Sequence, residues 1–541
     1  MHATINLEDF FKNLGLGIQG RTLVALKSFP AGTVLLDQAP LTQVPLPSVR
    51  RQRCNYCLRR AALQCCGRCR SAYFCSNTCF RNAWLHYHHV LCEPLEYDTY
   101  TNVDADRWLL ERAALTLHSH ARLNKHNSHS PPHLKYAIQA LEIHPQPDDG
   151  SAIINNTAPS SIAKSSTPTT STTTPTTTTT TTTATEWLPT TTPGATTTSR
   201  PSAPIDFTAV SEMMAPFDCP FRPDELETVQ AQISLSRFDI LDPDQHMDKV
   251  GYGVYPLTTL YVQHSCLPTA GITYRQDKQR LIALRDITIG DVISLSYVDL
   301  TLPRQARWDD LRLRFGPETT CGCARCQGDV MDDLLDQNSG LRLDQASTML
   351  KEDIKGWHIL TSVKQHPTPL PPTLLPSDFT HYISRQSPTT SLSVFAKSDA
   401  DFFEEVIPMV HPLLKTSCPA FSVNMIRAAE IALRQHMDHQ KWVEAAKCAT
   451  FLLVVYRLVY PALHPVCAFH AVILAKTCWN ALIQLQIVGV RLQEETIYMD
   501  SIRSWIDIAS RAVLATFGQQ SGLCREIIDL QWVFERDQKL R

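Results

Sequence analysis

The chain has 541 residues, 43% of them apolar, and a formal charge of −3. That length excludes a single hydrophobic core and points to several domains. The charge by itself says nothing about partners. The opening segment, MHATINLEDFFKN, has no long apolar core, so no signal peptide is expected there.

In chain order, residues 15 to 45 read as short strands joined by turns. Gly15, Gly17 and Gly20 precede Leu23-Val24-Ala25-Leu26, and Pro30-Ala31-Gly32 turns into Val34-Leu35-Leu36. Next comes a dense run of metal-spaced residues. Cys54 and Cys57, Cys66 and Cys69, Cys75 and Cys79, and His88 and Cys92 form C-x2-C, C-x2-C, C-x3-C and H-x3-C pairs. A C-x2-C pair supplies two thiolates from one tight turn, and an i/i+4 pair supplies two from one helix face. Eight such ligands make two tetrahedral zinc sites. Cys65, beside Cys66, leaves one ambiguity of register.

Residues 105 to 122, with Trp108, Leu109, Ala113, Leu115 and Leu117 among charges, predict a helix. From about Pro145 to Pro204 the chain is Thr, Ser and Pro, with unbroken Thr from 176 to 183. Such a composition cannot offset its own conformational entropy, and it predicts disorder. Loop closure cost grows only logarithmically, so the stretch is read as an insertion inside a domain. Strands and turns resume from Ile233 to Val298. Cys321, Cys323 and Cys326 then give C-x-C-x2-C, three ligands that need a fourth; a redox pair is the weaker reading. The remainder predicts helices. Trp442, Ala445, Ala446, Ala449, Leu452, Leu453 and Tyr456 form one stripe, and residues 466 to 488 and 497 to 516 repeat its texture. Paired amphipathic helices of this kind suggest a tetratricopeptide-like stack. The most apolar run, Ala449 to Tyr456, is cut by Arg457 and is too short to span a bilayer, so it reads as a buried helix and no membrane association is expected.

Of the eighteen cysteines, ten fall in the two metal-spaced clusters and the other eight, Cys266 among them, lie outside them. Zinc-spaced thiolates with scattered free thiols suit a reducing compartment, so the cytoplasm, the nucleus or both are expected.

The finger pattern, with Tyr73-Phe74-Cys75-Ser76 opening the third pair and Trp84 before His88, resembles the MYND zinc finger. In that finger the first and third pairs share one zinc and the second and fourth the other. Gly251-Tyr252-Gly253-Val254-Tyr255-Pro256, Gln263-His264-Ser265-Cys266-Leu267-Pro268, Gly290-Asp291-Val292 and Ser296-Tyr297-Val298-Asp299 resemble the SET domain of protein-lysine methyltransferases. With the finger inserted after the first strands, the order is similar to the SET-and-MYND (SMYD-type) family. Gly20-Arg21-Thr22-Leu23-Val24-Ala25 resembles that family's N-terminal cofactor loop, and Tyr460-Pro461-Ala462-Leu463-His464-Pro465 resembles its helical tail.

The resemblance implies an α+β fold: a β-rich SET domain, split by the finger and by the disordered insert, followed by an α-helical TPR-like domain. The implied segments are 1–50 (first SET part), 51–93 (finger), 94–144 (helical SET insert), 145–204 (disordered), 205–316 (SET core), 317–330 (post-SET zinc segment) and 331–541 (helical domain). It implies methyl transfer from S-adenosylmethionine to lysine side chains of histone or non-histone proteins, with Tyr297 as the catalytic tyrosine. Gln19, Gly20, Arg21, Gln263 and His264 are the implied cofactor residues, and Phe315 the aromatic lining cofactor and lysine channel. Cys266 is the implied fourth ligand beside Cys321, Cys323 and Cys326, for three zinc ions per chain. A monomer is expected.

The family reads Asn-His-Ser-Cys-x-Pro-Asn where this chain has Gln263 and Thr269 in place of the asparagines. Thr22 replaces a glycine and Ser236 the asparagine of an Asn-x-Phe motif. A weakened cofactor grip is therefore expected. A second reading is a scaffold with a decayed SET domain, binding partners through finger and helices. MYND fingers also take proline-rich peptides. From Arg50 to Cys92 there are eight arginines and no acidic residue. That basic patch predicts salt-dependent, nonspecific nucleic-acid binding at most.

Overall fold

The computed structural model describes residues 6–96, 104–125, 132–143, 204–219, 221–328, 330–336, 341–355, 422–489 and 492–540. Of residues 145–204, expected to be disordered, all but Pro204 lie outside them. The architecture is mixed helix and sheet, with several small sheets among helices.

The helix Leu7–Leu14 is started by the Asn6 side chain, which accepts from the Glu8 N–H, and stopped by Gly15 at φ +82°. It buries Leu7 and Phe11 beneath the first hairpin. In that hairpin β1 (Leu16–Gln19) pairs with β2 (Thr22–Ala25) across a two-residue turn. Gly20 holds φ +62° in the turn, a conformation that glycine adopts without a Cβ penalty. Strands β3 (Val34–Gln38) and β4 (Gln43–Pro45) follow. The finger carries β5 (Gln64–Cys65) and β6 (Tyr73–Phe74), an antiparallel pair.

Beyond the finger, the helix Ala105–Lys125 falls where the sequence places one. The helix Pro223–Ser236 leads into β7 (Arg237–Asp242) and β8 (Asp248–Val254). Three short pieces then carry the site: helix Pro256–Tyr261, β9 (Gln263–His264) and, after the hairpin β10 (Ala270–Arg275) and β11 (Lys278–Ala283), β12 (Ser294–Leu295). Two antiparallel sheets, ordered β10-β11-β3 and β4-β8-β7, join the parts before and after the finger. The close approach of β8 to β4 requires Gly251, since a Cβ there would lie 2.3 Å from the Val44 carbonyl. The parallel pair β9-β12 sets Ser294 beside Gln263 and Leu295 beside His264.

The C-terminal part is a run of helices packed in sequence: Val423–Asp438, Trp442–Val459, Pro465–Val488, Leu492–Thr516 and Gly522–Leu540. The helix Pro465–Val488, rather than the run Ala449 to Tyr456, is long and apolar enough to cross a membrane by length and composition. Its Ala468, Leu474, Cys478 and Leu482 are buried in the stack, which is what a central helix of such an array requires. One continuous apolar core runs from Leu7 and Leu23 through Phe238, Tyr297 and Phe315 to Phe451, Tyr460 and Phe534. A second core lies under the finger, around Phe74, Leu109, Leu110 and Val229.

Candidate active site and metal centres

Three groups of four side chains converge: Cys54, Cys57, Cys75 and Cys79; Cys66, Cys69, His88 and Cys92; and Cys266, Cys321, Cys323 and Cys326. Within each group the ligand atoms lie within 4.8 Å of one another. Tetrahedral bonds of about 2.3 Å to sulfur imply sulfur–sulfur edges of about 3.8 Å. Four edges fit: Cys57–Cys75 and Cys75–Cys79 at 3.6 Å, Cys66–Cys92 at 3.7 Å and Cys266–Cys326 at 3.5 Å. All three donor sets therefore could hold zinc. Cys65 is exposed and stands outside them, which removes the ambiguity of register.

Local backbone explains how the finger achieves this. Both C-x2-C turns are followed at once by a residue in the left-handed region, Leu58 at φ +56° and Arg70 at φ +54°. Non-glycine residues bear a cost there, so the turns are held by what they enclose. The Ser76 hydroxyl caps the helix Asn77–Ala83 by accepting from the Cys79 N–H at 3.2 Å. A π-helical turn, Trp84–His88, then widens the helix and brings His88 Nε2 to 3.8 Å from Cys69. Burial above all, helped by Arg112, His89 and Arg68, holds the His88 pKa down to about 4, so its imidazole is neutral and able to ligate.

The third group sits under the parallel strands. Arg307, fully buried in the helix Arg304–Phe315, points Nε at Cys266 Sγ (3.2 Å) and Nη2 at Cys326 Sγ (3.4 Å). Its other side grips Asp332 through two bonds of 2.6 and 3.2 Å. Four thiolates around a divalent cation carry a net negative charge, and this guanidinium is placed to offset it. Neither Arg307 nor Asp332 has any sequence signature.

His264 links the third group to Tyr297. Its Nδ1 accepts from the Tyr297 N–H at 3.2 Å, and its Nε2 lies 3.4 Å from Cys266 Sγ. The ring is thus engaged on both sides within the chain. Tyr297 is buried, with its hydroxyl 2.9 Å from the Val262 carbonyl and 3.1 Å from the Thr258 carbonyl. Phe315 meets its ring edge-on at 5.3 Å. Burial pushes the Tyr297 phenol up, against a smaller pull from Arg314, so the hydroxyl stays protonated at neutral pH.

The Gly20–Arg21 turn is brought to this place by Gln263, whose amide donates to the Thr22 hydroxyl. The Gln263 Oε1 is buried and accepts no hydrogen bond among the described residues. A Cβ on Gly20 would meet nothing within 4 Å, so the turn borders open space. Gln19 and Gly20 are exposed and Arg21 half-exposed. Thr269, expected to leave a hydrogen bond unmade, is instead satisfied: it donates to the Val292 carbonyl at 3.0 Å and accepts from the Ser294 N–H at 2.8 Å. Ser236 is buried, and its carbonyl accepts from the Tyr255 N–H.

No family model matches the chain. It is similar to the histone-lysine N-methyltransferase ASHR1 of Arabidopsis thaliana, 21% identical over 483 residues, 85% of this chain and 86% of that protein. It is also similar to the N-lysine methyltransferase SMYD2 of Homo sapiens and of Bos taurus. Each is 24% identical over 310 residues, 57% of this chain and 58% of the relative. These likenesses support the resemblance to SET-and-MYND proteins of the SMYD type. Against SMYD2 the match spans little more than half of either chain. Of the four residues that depart from the SET-and-MYND pattern, Thr22 and Gln263 hydrogen-bond each other.

Proposed function

We propose that this chain is a SET-and-MYND protein that transfers methyl groups from S-adenosylmethionine to lysine side chains of proteins. The observation that carries the reading is the joining of three separate segments around Tyr297: His264 at its backbone, Phe315 at its ring, and the Thr22–Gln263 link that brings the N-terminal turn alongside. When bound, the cofactor supplies a methyl on a positively charged sulfur, open to attack by a neutral amine.

Gln19, Gly20, Arg21, Gln263, His264 and Phe315 are the residues that would hold the cofactor. The buried, unpartnered Oε1 of Gln263 suits its ammonium group, and the open space beside Gly20 suits close approach of a ligand to backbone. His264 contributes through its backbone, since its ring serves Tyr297 and Cys266. Tyr297 orients the amine: its hydroxyl gives its single proton to one of two carbonyls, leaving oxygen lone pairs to face the incoming nitrogen. No general acid is needed. Phe315 and the buried rings keep the channel poor in water.

Three zinc ions per chain are part of the same proposal, two in the finger and one at Cys266, Cys321, Cys323 and Cys326. The third would pin the segment after Phe315 against Tyr297 through Cys266 and His264. A monomer in the cytoplasm, the nucleus or both, with histone or other proteins as substrates, completes the reading. The finger would add docking of proline-rich peptides, and weak nucleic-acid contact through its arginines. Incubation of the zinc-loaded protein with methyl-labelled S-adenosylmethionine, core histones and a lysine peptide pool tests the activity. Lysine-linked label that is lost in Tyr297→Phe supports it; label that persists in that variant refutes the assigned chemistry.

A further inference from the structure

The guanidinium of Arg314 stands inside a cage of three aromatic rings. Its central carbon lies 5.0 Å from the ring centre of Phe238, 5.0 Å from that of Tyr297 and 5.2 Å from that of Phe315. A cation over a ring face within about 6 Å is attracted by the ring's quadrupole, and three rings around one charge is the arrangement that binds ammonium groups. One guanidinium nitrogen donates to the Leu235 carbonyl at 2.8 Å and to the Arg237 carbonyl at 3.2 Å. Arg314 also leaves the last turn of its helix, where the helix dipole favours a positive charge. Arg237, close by, turns elsewhere: it pairs with Asp106 and lies over the Tyr252 ring at 4.8 Å. Burial lowers the Arg314 pKa to about 10, which leaves it charged at neutral pH.

Two of these rings are the residues assigned above to the chemistry, Tyr297 and Phe315. A lysine arrives as an ammonium and loses a proton to become the attacking amine, so a ring-lined, cation-accepting place suits its arrival at Tyr297, and the chain fills that place with its own cation. We infer that Arg314 is an internal occupant of the ring cage beside Tyr297, standing where a substrate amine would stand, and that it limits which lysines gain admission. The inference rests on the methyltransferase reading for its consequence but not for the cage itself. Arg314 is partly exposed as a residue, while its guanidinium Nε is buried among the rings. Admission of a lysine then exchanges one cation for another, with the two carbonyls and three rings available to the newcomer.

The test uses the zinc-loaded 541-residue protein and the variants Arg314→Ala and Arg314→Lys. Methylammonium chloride, compared with equal sodium chloride, probes the cage. It should raise the melting temperature of Arg314→Ala by about 2 °C and leave the parent protein unmoved. Equal responses from the two proteins overturn the inference. Arg314→Lys places an amine in the cage. With S-adenosylmethionine it should gain one methyl at position 314 by mass spectrometry, and lose that gain when Tyr297→Phe is added. If Arg314→Ala does not fold, this second arm decides: cofactor binding without methylation at position 314 overturns the inference. Absence of cofactor binding in every form would instead sink the methyltransferase reading, and the methylammonium response would still decide whether the cage takes a cation.

Discussion

The Gln263 amide donates its hydrogen bond to the hydroxyl of Thr22, across the gap between β9 and the first hairpin. Both positions depart from the family pattern, and each explains the other. A glutamine reaches one methylene further than an asparagine, and a threonine supplies the acceptor that a glycine lacks. The two changes act as a matched pair, so they do not add as two separate losses.

A double-mutant cycle tests this pairing. Thr22→Gly and Gln263→Asn should each weaken S-adenosylmethionine binding, and the double variant should recover much of the loss. A coupling of about 1 kcal/mol is expected for one buried hydrogen bond, read by calorimetric titration of the four proteins. Strictly additive losses would mean that the pair does not act as a unit.

Thr269 calls for the opposite treatment. Its hydroxyl joins β12 to the loop after β9 by bonding the Val292 carbonyl and the Ser294 N–H. Thr269→Asn, which reinstates the family residue, should therefore lower stability by about 1–2 kcal/mol and leave cofactor affinity no better. Chemical denaturation with a parallel binding titration checks both halves.

Elemental analysis should find three zinc ions per chain, one for each group of four ligands. Arg307→Met should lose the third ion fastest under a competing chelator, because two thiolates lose their guanidinium and Asp332 is left buried without it. Removing one partner from such a buried charge network typically costs about 3–5 kcal/mol. Loss of zinc from the finger groups before the third group would contradict this placement.

Glu430 gives a pH dependence remote from the site. Burial raises its carboxyl to about 7, while the Tyr456 hydroxyl, donating at 2.5 Å, pulls it down. The folded pKa lies above the unfolded one, so the native state binds the proton more tightly. Stability from this group is full below the ordinary carboxyl range and is lost as pH rises to about 7, by up to about 3 kcal/mol. Glu430→Gln should flatten the stability profile between the ordinary carboxyl range and pH about 7, and should be the more stable form on the alkaline side. Denaturant midpoints across that range decide it.

The local parts of this protein were legible and the long-range parts were not. The ligand pairs follow from spacing, because two ligands from one turn or one helix face must point the same way, while the sharing of ions between pairs came through resemblance. Cys266, 55 residues before Cys321, came only through resemblance. The helices Ala105–Lys125 and Trp442–Val459 were visible in their apolar stripes. Arg307 with Asp332, and Arg314 with its three rings, were invisible, since pairs brought together by folding leave no periodic mark in the chain. The resemblance also implied a helical domain of its own over 331–541. In the structure it shares one core with the sheets, and the Tyr460 hydroxyl donates to Asp299 at 2.8 Å, two residues beyond Tyr297. Truncation after residue 415 is therefore expected to expose that core and to impair the cofactor site as well as substrate selection.

The most direct measurement is a calorimetric titration of S-adenosylmethionine into the zinc-loaded protein. Saturable binding is expected, with one cofactor per chain, tighter than millimolar, and weakened by Gln263→Ala, which removes both the Thr22 link and the free buried acceptor. No heat of binding at millimolar cofactor, in a protein shown to hold its zinc, would contradict the methyltransferase reading and leave a SET-and-MYND scaffold in its place.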